Sequence, residues 1–389
     1  MNVIIEFLDD EPIENVITCL NYSFDKVIFF GYSEIIEKRH ESMEQFLKRR
    51  CDVKRVLFYP VSHTDLSSVV ELMREKIEKE LEQSHQVFFD ITGGENLVLV
   101  AFGILSGEMK LPMHMYDVES GKLIELNRDA VLPISRVLEQ KPVEFNLDRH
   151  IELQGGIVNY RMNKTLKNIR DEEFDLLLPR LWEVSQKHAD VWNVFSDFLK
   201  QNSEDSTEEG DEQDDLAVDL PAKQVLAYVR KSRALDTLQE LEHILDDCAA
   251  AGILENVFYD DEKYSFRYRS SMIKDCLWDA GSILELHTYQ QEKIGADDCR
   301  VGIHLDWDGV INGRDGNDVL NEIDVLSLHG YVPTFISCKN GHVDKEALYE
   351  LDAVTKKFGG KYAKKALAAT RKLSGTDLRR AQEMNIEVL

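Results

Sequence analysis

Short apolar runs alternate with amphipathic segments through the first 126 residues. The runs are NVIIEF (2–7), KVIFFG (26–31), RVLFYPV (55–61), QVFFDIT (86–92), MHMYDV (113–118) and KLIEL (122–126). Between the earlier ones lie helical patterns such as SEIIEKRHESMEQFLKRR (33–50) and TDLSSVVELMREKIEKELEQ (64–83). Regular helices between strands predict β-α-β units and a mainly parallel sheet covered on both faces. The last two runs are close enough to form a hairpin on the sheet edge. Residues 1–140 therefore read as a Rossmann-like domain.

Residues 141–202 read as a helical connector, clearest in RDEEFDLLLPRLWEV and HADVWNVFSDFLK. Residues 203–220 read as a flexible acidic linker, because a segment so rich in acids cannot bury a core. From 221 to 270 the pattern is helix, helix and hairpin, a winged-helix-like module. Its second helix ends at Gly252, a natural C-cap. That helix is acidic, which favours a packing role over DNA reading. Residues 271–389 read as a second α/β domain in the order helix, three strands, basic helical tail. The whole chain is thus expected to be α/β.

A chain of 389 residues is long enough for two or three domains. Its hydrophobic fraction of 43% and charged fraction of 30% are ordinary for a globular protein. The N-terminus lacks the basic region of a signal peptide, and the longest apolar run, LVLVAFGIL, is about half a membrane span. The expectation is a cytoplasmic protein with no membrane contact. Six scattered cysteines without a C-x-x-C pair argue against a disulfide framework or a zinc site.

The net charge of −26 argues against a protein that coats DNA by neutralising phosphates. The balance is uneven. Residues 203–219 hold nine acids and no base, while residues 356–380 hold nine bases and one acid, Asp377. A solvated helix face and a local path for a phosphate backbone are equal readings of the basic run.

DITGGENL, residues 90–97, follows a buried strand and opens a helix. Gly93 and Gly94 allow a sharp turn, and helix-start amides favour an anion. Thr92 and Asn96 offer hydrogen bonds to a phosphate, ribose or base. Ligands of open α/β sheets lie beyond the carboxyl ends of the strands. Asp9, Asp10 and Glu11, Gly31 and Tyr32, and Ser62 and His63 all follow strands at that end. No G-x-G-x-x-G follows the first strand and no G-K-[ST] occurs, which removes an NAD site and a P-loop. From the residues alone, a tight strand-to-helix turn and a nucleotide site are equally good readings.

NEIDVLSLHGYVPTFISCKN, residues 321–340, reads as strand, turn, strand. Strand residues alternate faces, so Glu322 and Asp324 share one face, and Ser337 and Lys339 share another. A hairpin would aim both pairs into one pocket. Ile323, Val325, Ile336 and Cys338 would face the core. Carboxylates can hold a Mg²⁺ or Mn²⁺ ion, and a lysine can orient a nucleophilic water or stabilise developing charge.

Both regions resemble known families. A Rossmann-like N-terminal domain with D-x-T-G-G after its fourth strand resembles a CARF domain, the cyclic oligoadenylate sensor of type III CRISPR defence. The resemblance implies a homodimer and carries over Thr92, Gly93, Gly94, Glu95 and Asn96, with Asp10, Glu11, Gly31 and Tyr32 as secondary candidates. Glu95 departs from the small or basic residue usual there. Residues 271–389 resemble a PD-(D/E)xK nuclease domain, also called restriction-endonuclease-like. That resemblance raises Glu285, on the preceding helix, above an ordinary solvated glutamate. Ser337 stands where a carboxylate is expected. Glu322, Glu285 or the Cys338 carbonyl could replace it as metal ligand, with Asp306 and Asp308 as second choices.

Together the two domains resemble CARF-fused CRISPR ancillary nucleases. The implied function is metal-dependent cleavage of RNA or DNA, switched on by cyclic tetra-adenylate or a related ring. The competing reading is a ligand-responsive regulator with an inactive nuclease domain.

Overall fold

The computed structural model describes residues 1–127, 134–160, 172–204, 216–232, 237–307, 309–311 and 320–389. The N-terminal domain contains β1 (Asn2–Leu8), α1 (Ile17–Asn21), β2 (Lys26–Gly31), α2 (Ser33–Arg50), β3 (Arg55–Pro60) and α3 (Leu66–Glu82). It continues with β4 (Gln86–Asp90), α4 (Asn96–Met109), β5 (Met113–Asp117), β6 (Lys122–Asn127) and β7 (Ile134–Val137). The sheet order is β3-β2-β1-β4-β5-β6-β7. Strands β3 to β5 are parallel and the last two pairings are antiparallel. The expected parallel sheet with an edge hairpin is present. The seventh strand, β7, is an addition that its short exposed pattern concealed.

Both faces of this sheet are covered, which explains the unbroken apolar runs. Ile4, Leu8, Val27 and Phe29 pack with Met43, Phe46 and Leu47 of α2. Val3, Ile5, Phe7, Ile28 and Phe30 pack with α3 and α4. The strand order reverses at β1, between β2 and β4. Crevices that bind ligands open at such a switch point.

The middle of the chain forms α5 (Leu147–Leu153), β8 (Ile157–Val158), α6 (Glu172–Lys187), α7 (Trp192–Glu204) and β9 (Ala217–Pro221). It then forms α8 (Ala222–Lys231), α9 (Leu238–Ala250), β10 (Leu254–Tyr259) and β11 (Lys263–Tyr268). Strands β10-β11-β9 make a small sheet, so helix, strand, two helices and hairpin follow in winged-helix order. Two expectations change here. The acidic linker is shorter than 203–220, because α7 reaches Glu204 and Ala217–Pro221 is a strand that buries Val218 and Leu220. Residues 205–215 lie outside the described residues. The connector is also not purely helical, since β8 adds an edge strand to the C-terminal sheet.

Three of the four acids of α9 are engaged by neighbouring elements. Glu242 accepts from the Tyr264 hydroxyl, Asp246 from that of Tyr259, and Asp247 pairs with Lys187 at the end of α6 and with His188 just after it.

The C-terminal domain comprises α10 (Ser271–Trp278), α11 (Ser282–Glu292), β12 (Asp298–Asp306), β13 (Leu320–His329), β14 (Val332–Lys339) and α12 (Lys345–Phe358). It ends with β15 (Lys364–Ala369), α13 (Gly375–Glu383) and β16 (Ile386–Val388). The sheet order is β16-β15-β14-β13-β12-β8. The expected single helix before the strands is broken at Asp279–Gly281. The expected basic helical tail is instead helix, strand, helix and strand. Its KKALAA stretch has helix-forming residues, but Ala366, Leu367 and Ala368 are buried beside β14. Tertiary packing overrides propensity there. Among the described residues no helix is long and apolar enough to cross a membrane.

The tip of the β13–β14 hairpin packs into the N-terminal domain. Tyr331 is 6% exposed, sits edge-on to Tyr116 at 5.3 Å, and its hydroxyl accepts from Asn21 Nδ2 at 2.8 Å. Tyr331→Ala is therefore expected to cost about 3–5 kcal/mol in chemical denaturation of the full chain. An unchanged midpoint would show that the tip is not part of the N-terminal core.

Candidate nuclease cleft and ligand loop

Strands β13 and β14 pair regularly from the turn down to Val325 and Ile336. Beyond that pair the ladder ends, and Asp324 occupies the opening. Its Oδ2 accepts the Cys338 backbone N–H at 2.6 Å and the Ser337 hydroxyl at 3.3 Å. A carboxylate thus takes the place of a ladder carbonyl, so the strands separate without leaving that amide orphaned.

The separation opens a cleft of about 200 Å³. Glu322, Asp324, Ser337 and Lys339 line it from the sheet, and Glu350, Leu351 and Val354 from α12. Four of the residues expected in the site are therefore brought together. Glu350 is a carboxylate that sequence reasoning missed. It lies on α12, and only an i, i+4 reading of 345–358 as a helix over the hairpin would have raised it.

Alternation along β14 explains the arrangement. Phe335 packs with Leu348, Leu351 and Phe358 on the α12 side, while Ile336 and Cys338 pack with Ile283 and Leu284 of α11. Ser337 and Lys339 share the parity of Phe335 and so face α12. Glu285 is on α11, 8% exposed and near Gly281, and is not among the residues lining the cleft. Ile323, expected to face the core away from Glu322 and Asp324, clusters on the α12 side and lines the cleft with them, where regular pairing with β14 has ended. Asp306 is buried and its Oδ1 accepts the Gly309 N–H, away from the cleft lining. Asp308 lies outside the described residues.

The donors in the cleft are hard oxygens, which suit Mg²⁺ or Mn²⁺. Among the described residues no three His, Cys, Asp or Glu side chains close into a metal cage. The set instead fits an ion held by one or two carboxylates and completed by water and substrate phosphate, as Mg²⁺ commonly is.

Much of the basic run is committed within the fold. Lys356 and Lys365 both meet Asp352 at 2.7 Å, Lys361 meets Glu14 at 2.8 Å, Arg371 meets Asp190, and Arg380 meets Asp377.

At the other site, the two glycines of DITGGENL have separate physical reasons. Gly94 has φ +128°, a conformation that L side chains rarely adopt. A Cβ on Gly93 would lie 2.5 Å from Glu14 Oε2. Thr92 faces inward. Its amide donates to Asp90 at 2.7 Å, and its hydroxyl accepts the Tyr116 N–H at 2.9 Å and meets Thr18. Its side chain therefore shapes the turn. Glu95 and Asn96 are exposed at the start of α4, whose first turn holds no acid. Gly31 packs against Leu8, and Tyr32 stacks on His63 at 3.6 Å.

Two secondary candidates are occupied elsewhere. Asp10 pairs with Lys38 and Arg39, which outweigh its partial burial and hold its carboxyl below the usual range. Glu11 accepts the Lys361 N–H at 2.6 Å. Beneath the loop lie Glu6 and Asp90, both nearly fully buried. Burial pushes Asp90 up to about 6, and burial together with the Asp90 charge raises Glu6.

The fold and cleft define a class: a Rossmann-like domain joined through a winged-helix module to a restriction-endonuclease-like domain. Residues 277–389 match the family described as Card1-like, endonuclease domain. Protein VC1899 from Vibrio cholerae has a similar structure, with TM-score 0.69 and 16% identity over 100% of this chain and 93% of that one. So does Can2 from Sulfobacillus thermosulfidooxidans, solved in complex with cyclic tetra-adenylate, with TM-score 0.64 and 15% identity over 100% and 95%. At these identities the two structures speak for the fold. No curated protein matches the sequence.

Two outcomes follow. Asp324→Ala leaves the Cys338 amide without its acceptor and is expected to cost about 1–3 kcal/mol in thermal or chemical unfolding, whereas Asp324→Asn keeps an acceptor and most of the stability. Equal losses in the two variants would contradict that role. For Asp90, the native state keeps a proton that the unfolded chain releases between the ordinary 3.8 and about 6. Stability from this group is therefore present below that window and lost as pH rises through it, by roughly 3 kcal/mol. Urea denaturation should show Asp90→Asn gaining on wild type from pH 4 to 7. A constant gap would contradict the shift.

Proposed function

We infer that this protein is a metal-dependent nuclease of type III CRISPR defence, activated by a cyclic oligoadenylate such as cyclic tetra-adenylate. The observation that carries the reading is a cleft holding Lys339 and Asp324 within the segment that matches the Card1-like endonuclease domain. The Can2 structure, bound to cyclic tetra-adenylate and alike over the whole chain, supports the ligand assignment.

The N-terminal loop suits a ring of phosphates. The amides at Gly93, Gly94 and the start of α4 present partial positive charge at the sheet's switch point. Tyr32 stacked on His63 offers an aromatic surface nearby. The same helix exposes Val100 and Ile104, 52% and 37%, with open space at Gly103 between them. This apolar stripe suits a second copy of the chain packed about a two-fold axis. Such a homodimer brings two identical loops to one symmetric ligand.

At the nuclease cleft, Asp324 with Glu322 or Glu350 would hold Mg²⁺ or Mn²⁺, which supplies charge neutralisation and a reactive water when bound. Ser337 offers a hydroxyl to a water of that site. Lys339, fixed at the end of β14, directs its ammonium into the cleft, where it orients the attacking water and stabilises charge developing on the phosphate. Leu351, Val354 and Ile323 form the apolar wall that fixes these groups. The substrate is RNA, DNA or both.

Ser337 favours one competing reading, a ligand-responsive regulator with an inactive nuclease. The commitment of Glu242, Asp246 and Asp247 to packing weighs against promoter reading by α9.

Incubation with Mn²⁺, labelled single-stranded RNA and DNA, and plasmid, with and without cyclic tetra-adenylate, separates the two. Cleavage is expected only with both metal and ligand, and Lys339→Ala and Asp324→Ala are expected to lower it by about 100-fold or more. No cleavage under any condition, or full activity in both variants, would sink the nuclease reading.

A further inference from the structure

Glu14 lies just beyond β1, 5% exposed, and so must find donors within the protein. They come from the loop between α12 and β15, in the other domain. Lys361 Nζ is 2.8 Å and the Tyr362 hydroxyl 2.5 Å from Glu14 Oε1. Nearby, Glu11 Oε2 accepts the Lys361 backbone N–H. Gly360, with φ +71°, brings the loop so close that a Cβ there would lie 2.5 Å from Glu11 Oε1.

The opposite side of Glu14 presses on Gly93, as the 2.5 Å approach to a Cβ there requires. One carboxylate side chain therefore separates the ligand loop from an ammonium of the nuclease domain. A phosphate reaching the Gly93 and Gly94 amides meets Glu14 as a like charge. Lys361, with its side chain 60% exposed and its ammonium already on Glu14, is a cation placed to relieve that repulsion. Glu14 raises its pKa, with Asp9 and Glu11 adding to the effect, so it is held charged at this acidic mouth.

Lys361 also sits at one end of a lever. Its loop follows α12 directly, and α12 supplies Glu350, Leu351 and Val354 to the nuclease cleft. A 14-residue helix spans about 21 Å.

We propose that Lys361 is a ligand-contacting residue supplied by the nuclease domain: a ligand phosphate at the Gly93–Gly94 turn takes Lys361 from Glu14, and the exchange repositions α12 at the cleft. This rests on the cyclic oligoadenylate reading given above. The ligand drives the change because it binds the exchanged state more tightly than the state in which Glu14 keeps Lys361.

The test uses the full-length protein with cyclic tetra-adenylate as probe, measuring its Kd and Mn²⁺-dependent cleavage. Lys361→Ala should weaken binding about tenfold, the size of one charge-assisted hydrogen bond. It should also fail to activate at saturating ligand, and Lys361→Arg should restore most of both properties. Glu14→Gln should tighten binding and raise ligand-free cleavage. Tyr362→Phe removes one hydroxyl, keeps the ring's packing, and should raise ligand-free cleavage even if Lys361→Ala proves unstable. Wild type that binds ligand no better than Lys361→Ala does would overturn the proposal alone. Weakened binding with full activation at saturation would overturn the exchange. Wild type that does not bind cyclic tetra-adenylate at all would overturn the underlying reading and this proposal with it.

Discussion

A carboxylate removed from water must be met by donors, and in this protein the donors of Glu14 belong to a different domain. That constraint ties the end of β1 to the loop after α12. It also explains why position 93 is glycine, since Glu14 occupies the space a side chain would need. The Tyr331 tip and the Glu11–Lys361 contact reinforce the same junction. The Gly93–Gly94 turn and the loop after α12 are therefore one packed unit.

A second carboxylate, the half-buried Asp324, organises the C-terminal cleft. Asp324 accepts the Cys338 amide at the point where β13 and β14 part. The same group that opens the cleft is the one proposed to hold a metal there. Ser337 donates to it, which makes serine useful at this position even though it brings no charge. Glu350 from α12 brings a further carboxylate to the cleft wall. The cleft's acidity therefore does not depend on position 337 alone.

The sequence was most informative where periodicity and local chemistry agreed. The six apolar runs of the first domain, the helix-and-hairpin module and the β13–β14 hairpin all carried clear local patterns, and the parity argument placed Ser337 and Lys339 on one face. It was least informative where long-range packing decided. KKALAA reads as helix and folds as a buried strand beside β14. Val218 and Leu220 were lost at the margin of an acidic stretch. Glu14, Lys361 and Tyr362 meet only through contacts across more than three hundred residues, and Glu350 reaches its cleft from a separate helix, which no local pattern records. Asp10 and Glu11 stood at the right strand end, but nearby Lys38 and Arg39 and the distant Lys361 had already engaged them.

The central claim is that the ligand loop and the nuclease cleft communicate through α12. Hydrogen–deuterium exchange of the wild-type protein, with and without cyclic tetra-adenylate, tests it most directly. The account predicts added protection at residues 90–97 together with altered exchange at 359–363 and along 345–358. Protection confined to 90–97, with the loop and α12 unchanged, would contradict it.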